Sequence, residues 1–187
     1  MKKVIFGIAC LLLTVCSWAQ TPEEMKAWQD NMTPGAPHQF LASFDGKWDA
    51  TVKMWMDPSQ PANISKAYTV NEMIMNGLYQ RSTHKGEMMG APFMGESITG
   101  YDNAKKKFVA TWIDNMGSGI MYLEGDYDPS KKILTLEGSM LDPATGKDTW
   151  IREVLTYNNA DSHTFEMFVL KDGKQIKNME ILYTRSK

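Results

Sequence analysis

From Gly46 to the C-terminus, short runs of alternating apolar and polar residues follow one another with only turn sequences between them. None of the intervening segments could carry the chain from one parallel strand to the next, because such a crossover takes a dozen residues or more. Consecutive runs must therefore pair antiparallel. The runs fall at residues 48–56, 65–75, 78–85, 96–101, 107–115, 120–127, 132–140, 149–158, 164–171 and 175–185. Asp57-Pro58, Asn76-Gly77, Asp102-Asn103, Asp128-Pro129, Asp142-Pro143 and Asp172-Gly173 mark turns, and residues 86–95 read as a longer loop. A meander of about ten strands either keeps two sticky edges or closes on itself, and closure removes the edges. The expected fold is mainly β, an antiparallel up-and-down β-barrel preceded by one or two short helices.

The first run shows the alternation most cleanly: Trp48, Ala50, Val52, Met54 and Met56 fall on one face, against Asp49, Thr51 and Lys53 on the other. Upstream the period changes. Thr21-Pro22-Glu23-Glu24 is a helix start with a capping box, Met25, Trp28 and Met32 share one face, and Pro34-Gly35 ends the helix. A second helical turn, over residues 37–44, carries Phe40, Leu41 and Phe44. The chain thus divides into residues 1–19, a helical extension over 20–36, and one barrel domain over 37–187.

Residues 1–19 read as a secretory signal peptide. A basic Met-Lys-Lys start leads into an apolar stretch too short for the ~20 residues of a membrane span, and Ser17 and Ala19 place a cut before Gln20. An acylated Cys16 is the alternative, with Val15 standing where a lipobox has a small residue. Cys10 and Cys16 are the only cysteines and both leave with the signal, so the exported chain has no disulfide. Loss of Lys2 and Lys3 moves the formal net charge from −2 to −4, which disfavours nucleic acid as a partner.

Gly46-Lys47-Trp48 at the head of the first strand resembles the Gly-x-Trp signature of the calycin superfamily, the lipocalins and their relatives. The resemblance implies that Trp48 closes one end of the barrel while an Arg of the last strand, here Arg185, packs over its ring; Gly46 supplies the turn. A second resemblance covers nearly the whole exported chain. Met32-Thr33-Pro34-Gly35 with His38, Gly46-Lys47-Trp48-Asp49, Gly90-Ala91-Pro92-Phe93, Gly100-Tyr101-Asp102-Asn103, Thr111-Trp112-Ile113-Asp114 and Met179-Glu180-Ile181 with Tyr183 and Arg185 are similar to the bacterial family of unknown function DUF1579. That family brings no activity with it.

Trp112 and Asp114 lie two apart on one strand and so face the same side. Facing inward, they offer an aromatic wall and a polar anchor for a small ligand; alternatively, Asp114 ties down the amides of the turn at 115–119. Met54, Tyr101 and Arg81 complete the set expected to line the interior. Of the charges within β-patterned runs, Arg81, Glu72, Glu96, Arg152 and Glu166, most fit the outer, solvated face, and one or two inward members would make the cavity polar. No His or Cys pair has zinc spacing and no nucleophile motif is present, so neither a metal site nor catalysis is expected. His84 or His163 could serve as a single axial haem ligand. Met88, Met89 and Met94 could hold Cu(I), although fifteen methionines in one chain fit an adaptable lining better. The reading that follows is an exported barrel binding an apolar or amphipathic small molecule, with a filled structural or interaction barrel and a cell-envelope enzyme as alternatives.

Overall fold

Several of the turns form where an Asp bonds its own backbone. Asp102 Oδ1 accepts from the amides of Ala104 and Lys105 at 2.9 Å, Asp128 Oδ1 from Ser130 at 2.9 Å, and Asp142 Oδ1 from Ala144 at 2.8 Å. The computed structural model describes residues 21–171 and 173–187. Residues 1–20, which include the stretch read as a signal peptide with Cys10 and Cys16, and Asp172 of the last turn lie outside the described residues.

Two helices come first, α1 (Pro22–Asn31) and α2 (Ala36–Ala42). The capping box forms as expected, with Glu24 N to Thr21 Oγ1 at 3.1 Å and Thr21 N to Glu24 Oε2 at 2.8 Å. Ten strands follow: β1 (Gly46–Met54), β2 (Asn63–Ile74), β3 (Tyr79–Met88), β4 (Ala91–Asp102), β5 (Lys107–Asp114), β6 (Met121–Asp128), β7 (Ile133–Asp142), β8 (Lys147–Asn159), β9 (Ser162–Lys171) and β10 (Lys174–Arg185). Each pairs antiparallel with its neighbour in sequence, and β1 pairs with β10 to close the barrel.

One expected element differs. Residues 86–95 are not a loop, because β3 runs to Met88 and β4 starts at Ala91, with Met89 (φ 54°) and Gly90 (φ 81°) as a two-residue turn. Positive φ at both central residues is the geometry whose twist matches that of a hairpin. Gly86 and Gly95 are strand residues with close neighbours. A Cβ at Gly95 would stand 2.4 Å from the Trp112 ring. At the Asn76-Gly77 signal the chain takes a 3₁₀ turn, Met75–Gly77, with positive φ at all three residues.

Ion pairs line the outer wall, among them Lys53–Glu180 at 2.8 Å, Lys105–Glu124 at 2.7 Å and Lys177–Glu166 at 2.9 Å. This charged wall is unlike the apolar band that a membrane barrel turns to lipid. Among the described residues no helix is long and apolar enough to cross a membrane.

Candidate functional site: the barrel interior

The carbonyls at the C-terminal end of α2 have no partners within the helix, and the barrel supplies them. Gln80 Nε2 donates to Leu41 O at 2.6 Å, Trp48 Nε1 and Asn71 Nδ2 to Phe44 O at 2.8 and 3.0 Å, and Arg185 to Ser43 O and Asp45 O at 3.2 and 2.8 Å. The helix is thereby fixed across one end as a plug. Arg185 also lies over the Trp48 indole, 4.2 Å from its centroid, with Trp48 only 1% exposed. Gly46 makes the turn into β1 at φ 117°, and a Cβ there would meet the Arg185 guanidinium at 2.9 Å. Phe44, His163 and Tyr183 pack around this closure, so the floor is sealed by rings.

Cross-strand partners share a face, so register carries the inward direction from Trp48 around the barrel. Trp48, Ala50, Val52 and Met54 stand opposite Arg185, Tyr183, Ile181 and Met179; Met179 opposes Met167; and Met167 opposes Glu153, which opposes Leu136. By the same rule His84, Met88, Phe93, Trp112, Met121 and Met140 also face inward. Toward α2 the inward residues are buried, including Phe108, Ala110, Leu123, Leu134 and Ile151. Toward the opposite end they are partly accessible: Met54, Met88, Met121, Met167 and Met179 are intermediate in exposure, and Met140 is 42% exposed. The interior is a closed floor below a thioether-rich mouth.

Midway between floor and mouth sits a group of polar side chains. The Trp112 ring lies flat across Gly95, 5.2 Å from His84 and stacked at 6.3 Å on Phe93, and its Nε1 donates to Asp114 Oδ2 at 2.7 Å. Asp114 Oδ1 accepts the Met116 amide at 2.8 Å. His84 Nδ1 bonds Thr69 Oγ1 at 2.9 Å, and the Thr69 hydroxyl also serves the Tyr183 phenol. Burial pushes His84 down to about 4, so its imidazole is neutral at pH 7. Burial, with Arg185 and His84 adding to it, takes His163 down to about 3. Across from this group stands Glu153, between the inward residues Ile151 and Leu155 of β8. Protein surrounds it densely, the residue keeps some accessible surface, and register turns its side chain inward with Met167 and Leu136. Among the described residues nothing donates a hydrogen bond to it, and burial alone pushes its carboxyl up to about 7.

Trp112, Asp114 and Met54 thus share the interior, with Asp114 spent on holding Trp112 and the following turn. Tyr101 points inward at the plugged end, where it packs on Phe108 at 5.0 Å and borders an outside cleft of about 360 Å³ with Phe40 and Tyr127. It lines the floor and not the mouth. Arg81 is on the outer wall, paired with Glu72, because register puts it out of phase with Gln80 and Ser82. Glu72, Glu96, Arg152 and Glu166 are outside as well, and Arg152 reaches Glu137 at 3.6 Å. Met88, Met89 and Met94 fall on the inner face, the turn tip and the outer face, so they do not converge on one ion. Of the haem candidates, His163 is enclosed by Phe44, Trp48 and Tyr183, and His84 has one nitrogen engaged by Thr69. Among the described residues no three His, Cys, Asp or Glu side chains gather as a metal site.

Ten antiparallel strands closed in sequence order, a plugging helix, and a Trp–Arg pair under the floor define a calycin-like barrel. The family model for DUF1579, a protein family of unknown function, matches residues 33–185, and the chain belongs to that family. No curated protein matches it.

Proposed function

We propose that this protein is an exported carrier or sensor that takes one apolar or amphipathic small molecule into the barrel through the end opposite α2. The observation that carries the reading is the inward set Met54, Met88, Met121, Met140, Met167 and Met179, partly accessible and set above a sealed floor. Thioethers on unbranched stems adapt to ligands of different shape, and Trp112 adds a flat wall. Such sites are mostly apolar with a few placed polar groups, and His84 and Glu153 are of that kind.

An apolar fluorescent probe titrated into the protein tests this. Micromolar binding with quenching or shift of Trp emission is expected, and Trp112→Phe should remove most of the emission change while the thermal midpoint stays within a few degrees. Binding no tighter than to a denatured or unrelated acidic protein would favour a barrel filled by its own side chains. Export rests on residues 1–19, and N-terminal sequencing of envelope material should give a start at Gln20.

A further inference from the structure

We propose that the molecule held in the barrel is an amphipathic amine whose ammonium group pairs with Glu153 while its apolar body lies among the inward methionines. The inference rests on the interior being the binding site, and it names what that site selects. Glu153 is a carboxylate deep in an apolar surround, with Leu136 and Met167 opposite it on the two neighbouring strands and Ile151 and Leu155 beside it on its own. Buried carboxylates are paired or hydrogen-bonded as a rule, since an isolated charge loses its hydration for nothing. Glu153 has no such partner among the described residues, although the chain pairs carboxylates freely on its outer wall. The lysines and arginines of β7, β8 and β9, the strands carrying and flanking Glu153, do not reach it: Arg152 faces out to Glu137, while Lys147 and Lys171 stand at strand ends.

The neighbours select the sign of the ligand. The titratable groups facing the middle of this space are His84, His163, Tyr183 and Asp114; Arg185 shares the inward phase but is held at the floor by Ser43 O and Asp45 O, and Lys147, Lys171 and Lys174 share it only at the exposed strand ends of the mouth. Both histidines are neutral at pH 7 and Tyr183 is raised above its ordinary value by burial, so at the level of Glu153 none of these groups offers a cation to a carboxylate ligand. Trp112 and Phe165 add inward aromatic rings, whose faces attract an ammonium and not an anion. A fatty acid would bring a further carboxylate into a space that already holds Glu153 and Asp114. An amine brings the missing partner.

Decylamine, decanol and decanoate share one chain and differ in the head group, so displacement of the fluorescent probe by each, on wild type and on Glu153→Gln, separates the site from its selectivity. In the wild type at pH 7.5 the amine should bind at least tenfold tighter than the alcohol, and the acid weakest. Glu153→Gln, which keeps the shape, should reduce amine affinity tenfold or more and leave alcohol affinity within twofold. Amine binding at pH 6.5 should also release a proton, seen as a dependence of the calorimetric heat on the buffer's ionisation enthalpy, and the variant should show none. Equal affinity of amine and alcohol in the wild type, or an amine preference that survives in the variant, would overturn the head-group assignment while leaving the binding barrel standing. Failure of all three to displace the probe would overturn both.

Discussion

Replacing Glu153 with Gln should stabilise the unliganded protein at alkaline pH and change little in mild acid. In the folded state the carboxyl titrates at about 7 against an ordinary 4.5, so the folded state binds its proton more tightly than the unfolded chain does. Stability from this group is fully present below pH 4.5, falls as pH rises, and is gone above pH 7. Each unit of the gap corresponds to about 1.4 kcal/mol, so between pH 5 and pH 8.5 the wild type should lose about 2–3 kcal/mol on this account. Gln carries no charge at either pH and keeps the neutral state's advantage. Urea unfolding followed by Trp emission, for both proteins at both pH values, gives the double difference in which all other titrations cancel. If the variant loses as much stability as the wild type between pH 5 and pH 8.5, Glu153 is not held in an apolar interior, and the argument built on it fails.

His84 and His163 act in the opposite direction: with folded values of about 4 and 3 against an ordinary 6.5, each should cost about 1.4 kcal/mol per pH unit as pH falls below 6.5, and His84→Gln should flatten that slope in urea titrations. Arg185→Ala removes both the cover over Trp48 and donors to Ser43 O and Asp45 O, so the urea midpoint should fall by the equivalent of roughly 1–3 kcal/mol; an unchanged midpoint would mean the closure is not needed for stability. Gly95→Ala should cost about 1–3 kcal/mol and shift Trp emission, because its Cβ must push the Trp112 ring off the wall. Asp114→Asn, read by probe binding, should weaken the emission response moderately by loosening Trp112 without changing any preference between charged and neutral ligands.

The barrel was legible because alternation and turn chemistry agree along most of the chain, from Trp48-x-Ala50 to the Asp-led hairpins. Residues 86–95 misread because Gly and Pro signal loops, whereas Gly95 is there to admit the Trp112 ring and the turn needs only Met89-Gly90. Pro92 has no amide to offer the ladder, and Asn115 bonds across that position to Pro92 O and Met94 N at 2.9 Å each. Glu153 escaped notice for a different reason. Trp150 and Val154 put apolar residues on the outer face of β8, so the strand shows no clean period, and its inward carboxylate stands out only when Ile151 and Leu155 are known to face in. Arg81 misled in the mirror-image way, since β3 places polar Gln80, Ser82 and His84 on the inside. A polar inner wall removes the contrast on which face assignment depends.

The seam between β1 and β10 joins the two strands furthest apart in sequence, with opposed positions separated by 125 (Met54–Met179) to 137 (Trp48–Arg185) positions along the chain. On a ribosome the first strand is made early and must wait for the last, so until β10 arrives the growing sheet shows an unpaired edge at each side. Contacts of such long range also close slowly, since most of the chain's entropy is spent before they form. The plug helix is made before either edge, and its carbonyls draw on Asn71 and Gln80 from the early strands as well as on Arg185 at the very end of the last. A chain stopped before β10 would keep its turns and most of its hairpins and yet present a sticky open sheet, so the last strand determines whether this protein is a vessel or an aggregate.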